Sequence, residues 1–95
     1  MENTDVIDRI NLLVELEKIS RDQLSQKTGI NYTRWTNALQ RKAKLRHEEI
    51  EALGKAWPEF RLWIAYGEEI PEAGQISPMT KKSLESLGKQ GKATK

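Results

Sequence analysis

The chain has 95 residues, a net charge of +2 and no cysteine. This length suits a single domain with one core, and the absence of cysteine excludes disulfides, thiolate zinc sites and cysteine nucleophiles. No apolar run reaches the length of a signal peptide or a membrane span, so we expect a soluble, cytoplasmic protein with no membrane partner.

The charged residues are grouped in blocks along the chain. Residues 18–46 carry a local charge of +7, whereas residues 1–17 and 47–72 carry −4 and −5, and residues 73–95 carry +4. A polyanion is attracted to a central basic block of this kind, but a basic face exposed only to water gives the same pattern. The charge distribution alone therefore leaves both interpretations open.

Helical periodicity extends through most of the chain, and we expect an all-α fold without a sheet. A first helix is predicted over residues 4–18, with Thr4 as its N-cap. Ser20 and Gln23 have the spacing of a capping box, in which each side chain bonds the backbone amide of the other, and they predict the start of a second helix. Gly29 predicts its end, because glycine adopts the left-handed conformation of a helix C-cap.

Three further helices follow. Asn31 is a suitable N-cap for a third helix over residues 32–40, and residues 41–45 connect it to a fourth helix over residues 46–57. A fifth helix is predicted over residues 58–67, with a proline in its first turn. The two tryptophans of these last helices, Trp57 and Trp63, are expected in the core, with a place in a dimer surface as the alternative for Trp63.

The composition changes after the fifth helix. Residues 80–87 are predicted to form one or two helical turns with Leu84 and Leu87 as anchors, and residues 88–95 are too rich in glycine, lysine and small polar residues to order themselves. The predicted organisation is a five-helix domain over residues 1–67, followed by a flexible, extended and partly disordered C-terminal tail over residues 68–95.

The third helix has two different faces. At about 100° per residue, Trp35, Ala38 and Leu39 point towards the core. The opposite face consists of uncharged hydrogen-bonding side chains, namely Thr33, Thr36, Asn37 and Gln40. Tyr32 and Arg34 lie on the flanks, where Arg34 can reach guanine or a phosphate. This combination suits base edges in a DNA major groove, although a helix-turn-helix can also be purely architectural.

Residues 21–40, RDQLSQKTGINYTRWTNALQ, resemble the helix-turn-helix of the lambda-repressor-like family, which includes phage repressors and Cro proteins. The residues at the family's anchor positions are Leu24, Gly29, Ile30, Trp35 and Ala38. The resemblance extends over about residues 4–67. Ser25 departs from it, because alanine is usual there, and Ala38 is smaller than the usual branched residue, although Leu39 can fill the space.

The resemblance implies a role in DNA binding for individual residues. Gln23 and the amides at the start of the second helix would approach a phosphate. The residues implied to face bases or backbone are Asn31, Tyr32, Thr33, Thr36 and Asn37. Those implied to hold the neighbouring phosphates are Lys42, Lys44 and Arg46. Phosphate contacts would set the register, and the third helix would set the sequence preference.

We therefore expect a sequence-specific transcription regulator, a repressor of phage or prophage type, that binds double-stranded DNA as a homodimer. His47 and the glutamates at positions 48, 49 and 51 are interpreted as an exposed helix surface. Without an acid–base pair or a nucleophile arrangement, we expect no enzyme activity, metal or cofactor. The alternatives are an antitoxin-like or adaptor protein that binds a protein partner through the helical domain or tail 68–95, and a nonspecific DNA-coating protein.

Overall fold

The computed structural model describes the backbone of residues 5–93 and the side chains of residues 5–87. This part of the chain is all-α, as predicted. Its six helices are α1 (Val6–Leu16), α2 (Arg21–Thr28), α3 (Tyr32–Leu39), α4 (His47–Ala56), α5 (Arg61–Tyr66) and α6 (Pro78–Ala93). Among them, none combines the length and the apolar composition that crossing a bilayer requires.

A single hydrophobic core is shared by the first five helices. Its fully buried apolar side chains include Ile10, Leu13, Leu24, Trp35, Leu53, Phe60 and Ile64. Trp57 and Trp63 are also buried, each with 6% of its surface exposed. Trp63 is therefore a core residue, and the alternative that placed it in a dimer surface is wrong for this structure.

Helix α1 is shorter than predicted. It begins after Asp5, whose carboxylate accepts a hydrogen bond from the Asp8 amide at 3.0 Å and so caps the helix. The predicted cap, Thr4, lies outside the described residues. At the other end the helix stops at Leu16, and Lys18 has a left-handed backbone with φ of 57°. The prediction that the helix continues to Lys18 is wrong, because a left-handed residue ends the helical hydrogen-bond pattern.

The predicted fifth helix consists of two pieces. A 3₁₀ turn, Pro58–Phe60, comes first, and α5 follows directly from it. Gly67 then ends α5 in the left-handed conformation, with φ of 72° and its amide bonded to the Trp63 carbonyl. Pro58 lies at the first position of the turn, where its missing N–H leaves no bond unmade.

The chain after Gly67 is more regular than predicted. A second 3₁₀ turn, Pro71–Ala73, precedes α6, and the Ser77 hydroxyl accepts a hydrogen bond from the Thr80 amide at 3.1 Å, as an N-cap does. The helix therefore starts before the predicted turns at residues 80–87 and continues through Ala93, into the stretch predicted to lack order. Residues 94 and 95 lie outside the described residues.

The prediction that Leu84 and Leu87 anchor this region is wrong, because their side chains are 54% and 63% exposed. Other residues attach it to the helical domain. The Gln75 side chain accepts a hydrogen bond from the Leu62 amide at 2.9 Å and donates one to the Pro58 carbonyl at 2.9 Å. Lys81 forms an ion pair at 3.3 Å with Glu17, the residue that follows α1. Part of the predicted tail is thus packed against the first five helices.

Candidate nucleic-acid interface

The residues predicted to form a helix-turn-helix, here the α2–α3 unit (residues 20–40), are shaped by local hydrogen bonds. The capping box at its start is present as predicted. The Gln23 side chain accepts a bond from the Ser20 amide at 2.8 Å, and the Ser20 hydroxyl accepts one from the Gln23 amide at 3.0 Å. Gln23 is exposed and its side-chain nitrogen has no hydrogen bond within the described residues, so this nitrogen and the start of α2 are accessible together.

The turn between α2 and α3 depends on Gly29, whose φ of 73° is in the left-handed region, as predicted. The Ser25 hydroxyl donates a hydrogen bond to the Ile30 carbonyl at 2.6 Å, which ties α2 to the residue after the turn. This bond explains how a serine is accommodated where alanine is usual in the helix-turn-helix that the sequence resembles. Its hydroxyl satisfies a carbonyl that the turn would otherwise leave unpaired.

Trp35 joins the two helices from inside. Its ring is fully buried, and its indole N–H donates to the Thr28 hydroxyl at 2.9 Å. The same hydroxyl donates to the Leu24 carbonyl at 2.7 Å. Ala38 and Leu39 are also buried, as predicted for the inner face of α3. These contacts fix the rotation of α3 about its own axis, and therefore which side chains it presents outward.

The outward face of α3 is polar and uncharged. Thr33 and Gln40 are exposed, Tyr32 is 50% exposed, and Asn37 is half-buried beside them. Asn31 is exposed at the start of the helix, where its side-chain oxygen accepts bonds from the Thr33 and Arg34 amides at 2.7 and 3.2 Å. Its oxygen is used as the predicted N-cap, which leaves its amide nitrogen for an outside partner.

Thr36 does not belong fully to this outward face. Its side chain is half-buried, and its hydroxyl oxygen is buried with no hydrogen-bond partner within the described part of the chain. The sequence prediction that this hydroxyl is directed outward is wrong. Thr36 directly follows the buried Trp35, so it lies at the boundary between the inner and outer faces of α3, where the helical angle alone does not fix the direction of a side chain.

Arg34 is also placed differently from its prediction. Its guanidinium donates through Nε to the Glu49 carboxylate at 2.8 Å and through Nη2 to the Lys44 carbonyl at 3.0 Å. The side chain therefore connects α3 to α4 and to the loop between them. These protein partners engage Nε and Nη2, so the side chain predicted to reach guanine or a phosphate is already held within the protein.

Glu49 explains this arrangement. The sequence interpretation as an exposed glutamate is wrong, since Glu49 is fully buried, whereas Glu48 and Glu51 are exposed as expected. Burial by itself would raise the pKa of Glu49. Hydrogen bonds from the Arg34 guanidinium and the Arg46 amide outweigh it, and the pKa lies below its ordinary value. A sequence signal was available, because Glu49 stands three residues after the cap of α4, the position of a capping-box acid.

The loop between α3 and α4, residues 41–46, is called the basic loop below. Lys42 and Lys44 are exposed and form no ion pair with the side chains of residues 5–87. Arg46 is exposed too, with its guanidinium 3.9 Å from Glu48 and 3.6 Å from Glu49. The basic loop follows α3 directly in the sequence, so its exposed lysines begin two residues after Gln40, the last exposed residue of the outward face.

The first residue of the basic loop has a different function. Arg41 binds Asp5 at 2.8 Å and Asp8 at 2.9 Å, and thereby ties the loop to the start of α1. The hydrogen bond from Arg41 is the main reason why the pKa of Asp5 is lowered to about 2. His47, which follows the loop, is exposed at the start of α4 as predicted. Two cations of the loop, Arg41 and Arg46, are therefore paired with carboxylates, whereas Lys42 and Lys44 are exposed without an ion pair among residues 5–87.

No protein-family model matches the chain, and no curated protein matches it. Among solved structures, the chain is similar to Pf6r from the filamentous phage Pf6 of Pseudomonas aeruginosa PA01. The two sequences are 34% identical, and the match covers 78% of this chain and 95% of Pf6r with a TM-score of 0.65. The similarity thus extends over nearly all of the phage protein.

Proposed function

The chain belongs to the same protein family as Pf6r, and from this premise we propose that it is a sequence-specific DNA-binding regulator. In this proposal it is a transcriptional repressor of phage or prophage type, and its α2–α3 unit is a lambda-repressor-like helix-turn-helix. The observation that carries the proposal is the outward face of α3, where Thr33 and Gln40 are exposed and which the exposed cations of the basic loop follow in the sequence.

In the proposed complex, α3 lies in the major groove of double-stranded DNA. The side-chain amides of Asn37 and Gln40 can pair with adenine through two hydrogen bonds, and the Thr33 methyl group can contact thymine. Tyr32 and the free amide nitrogen of Asn31 contact bases or backbone at the start of the helix. The absence of a carboxylate from this face supports the proposal, because a carboxylate would repel the phosphates on either side of the groove.

Phosphate binding is assigned to the two ends of the α2–α3 unit. The positive end of the α2 dipole and the exposed side chain of Gln23 approach one strand. Lys42, Lys44 and Arg46 hold the neighbouring phosphates, and these contacts supply most of the affinity and its dependence on salt.

We propose that the protein binds DNA as a homodimer. One copy of α3 presents few side chains to the bases, and a second copy on a near-palindromic site doubles the contacts. The two half-sites are then expected about one helical turn apart. Sedimentation of the protein with and without the selected duplex tests this stoichiometry, and a complex with one protein chain per duplex would contradict it.

The experiment for sequence-specific binding starts from a selection among random duplexes. Thr33→Ala and Asn37→Ala are expected to weaken binding to the selected duplex by about 1–3 kcal/mol and to leave binding to an unrelated duplex nearly unchanged. Asn11→Ala, an exposed asparagine on α1, is the matched control and should not change either affinity. A selection that enriches no common site favours nonspecific DNA coating instead.

A second candidate function is the binding of a protein partner through the C-terminal region. Exposed apolar side chains on α6 favour it, namely Met79, Leu84 and Leu87. If these side chains bind a protein partner, the double substitution Leu84→Gln and Leu87→Gln abolishes partner binding without affecting DNA binding. If the same substitution instead dissociates a homodimer, this surface serves self-association.

A further inference from the structure

Glu49 lies at a junction of three structural elements. Its carboxylate accepts the Arg46 amide at 2.6 Å, which fixes the last residue of the basic loop at the start of α4. It also accepts the Arg34 Nε at 2.8 Å, which fixes the side chain of an α3 residue. One fully buried carboxylate thus bonds to the last residue of the basic loop and to a side chain of α3.

The connection continues into the middle of the basic loop. Through Nη2, the guanidinium that Glu49 holds also donates to the Lys44 carbonyl at 3.0 Å. The loop has no helix or strand of its own, and its backbone position depends on such bonds together with those from the Lys42 and Ala43 amides to the Asn37 carbonyl, at 2.8 and 3.2 Å. The backbone groups of Lys44 and Arg46 are therefore anchored while their cationic side chains remain exposed.

We propose that Glu49 is a positioning residue for DNA binding. By holding Arg34 and the Arg46 amide, it sets the basic loop at a fixed distance and angle from α3, so that phosphate contacts and base contacts form together. Through this preorganisation, less conformational entropy is lost when DNA binds. The inference rests on the proposed DNA-binding function, and it assigns to a buried acid a role in binding an anion.

The direction in which Glu49→Gln changes the affinity for DNA separates a positioning role from a simple effect of charge. Glu49→Gln removes a negative charge near the proposed DNA surface, which by itself raises affinity for a polyanion. Loss of positioning lowers the affinity. Glu51→Gln makes the same change of charge two residues along α4, on an exposed side chain with no anchoring bond in the described structure, and serves as the matched control.

The test is a titration of the selected duplex and an unrelated duplex at several salt concentrations. Glu51→Gln is expected to bind as tightly as wild type or slightly more tightly, with an unchanged salt dependence. Glu49→Gln is expected to bind both duplexes on the order of tenfold more weakly, with a slope of log affinity against log salt that is smaller by about one phosphate contact.

A second variant separates positioning from folding. The double substitution Arg34→Met and Glu49→Leu leaves the net charge unchanged and replaces a buried ion pair by apolar side chains, which commonly preserves stability. It removes the two bonds by which Arg34 and Glu49 hold the backbone of the basic loop. We expect it to show the same weak binding and reduced slope at temperatures where its circular dichroism is that of the folded protein.

The outcomes are distinct. If either Glu49 variant binds with the affinity and slope of wild type while folded, the positioning role is overturned and the proposed function stands. If wild-type protein binds neither duplex, the proposed function fails and the inference fails with it.

Discussion

The α2–α3 unit and the C-terminal region after Gly67 are both held by hydrogen-bonding side chains, but over different distances along the chain. Within the α2–α3 unit, the longest separation is that of the Trp35–Thr28 bond, which spans seven residues. In the C-terminal region, the Gln75 bond to Leu62 spans 13 residues and the Lys81 bond to Glu17 spans 64.

This difference indicates how the two regions respond to perturbation. Local bonds form with little loss of chain entropy, so the α2–α3 unit keeps its shape as long as its core side chain is present. The C-terminal region is held by polar contacts to distant residues and by Ile76 and Pro78 packed inside, and losing a polar contact is expected to loosen it without unfolding the rest. A rigid unit is suited to presenting a defined surface, and a region held by few contacts is suited to rearrangement.

The largest expected effect comes from the core of the α2–α3 unit. Trp35→Ala removes a fully buried ring that contacts both helices, and it is expected to lower the free energy of unfolding by about 3–5 kcal/mol. Urea denaturation followed by circular dichroism measures the change. Tyr32→Ala, a half-exposed aromatic on the same helix, is the control. Similar losses for the two variants would show that the unit does not depend on its interior.

The next effect concerns Glu49 and depends on pH. Glu49→Gln is expected to lower the free energy of unfolding by about 1.5–3 kcal/mol at pH 7, because the fully buried carboxylate accepts charge-assisted hydrogen bonds from the Arg34 guanidinium and the Arg46 amide. The pKa of Glu49 is lowered in the folded protein, so its contribution is complete above the ordinary value of 4.5 and is lost as the pH falls through the folded value.

Thermal unfolding of wild type and Glu49→Gln between pH 7 and pH 3 tests this dependence. The difference in stability should shrink as the pH falls below 4.5. Glu51→Gln, which removes an exposed carboxylate, should show no comparable gap at pH 7. A gap for Glu49→Gln that grows towards low pH would contradict the assigned direction of the shift.

A smaller effect is expected from the hydroxyl that links the turn to Trp35. Thr28→Val keeps the size of the side chain but leaves the buried indole N–H and the Leu24 carbonyl without this partner, at a cost of about 1–3 kcal/mol. Thr28→Ser retains the hydroxyl and is expected to lose less stability. Equal losses for the two variants in chemical denaturation would assign the effect to the methyl group instead.

The smallest effect is expected in the C-terminal region. Gln75→Ala removes two hydrogen bonds between this region and the chain near α5, and it is expected to lower the free energy of unfolding by about 1 kcal/mol. Limited proteolysis should cut between Gly67 and Pro78 faster, while amide exchange in α2 and α3 stays unchanged. Faster exchange throughout the α2–α3 unit would show that the two regions are not independent.

The same contrast explains what could be predicted from the sequence. The start of α2, its end at Gly29 and the cap at Asn31 were predicted correctly, because capping side chains and glycine act on the residues next to them. The burial of Trp35 followed from helical periodicity. The outward directions of Thr33 and Gln40 did so too, since they lie opposite the core.

The wrong predictions concern residues whose partners are distant in sequence. The sequence predicts Arg34 and Glu49 on the surface. Nothing next to either residue in the sequence indicates that the two side chains bond to each other across 15 residues. The sequence predicts a packed face with Leu84 and Leu87, whereas Gln75 bonds to Leu62 of α5 and Lys81 to Glu17. Tertiary contacts between polar side chains leave no periodic signal, so periodicity alone could not identify them.

The central claim is that α3 and the basic loop bind DNA together. Fluorescence anisotropy of a labelled duplex, titrated with wild-type protein between 50 and 200 mM salt, tests it most directly. We predict that log affinity falls linearly with log salt, and that Lys42→Gln combined with Lys44→Gln reduces the slope by about two phosphate contacts. Binding that is independent of salt, or a slope unchanged in this double variant, would contradict the claim.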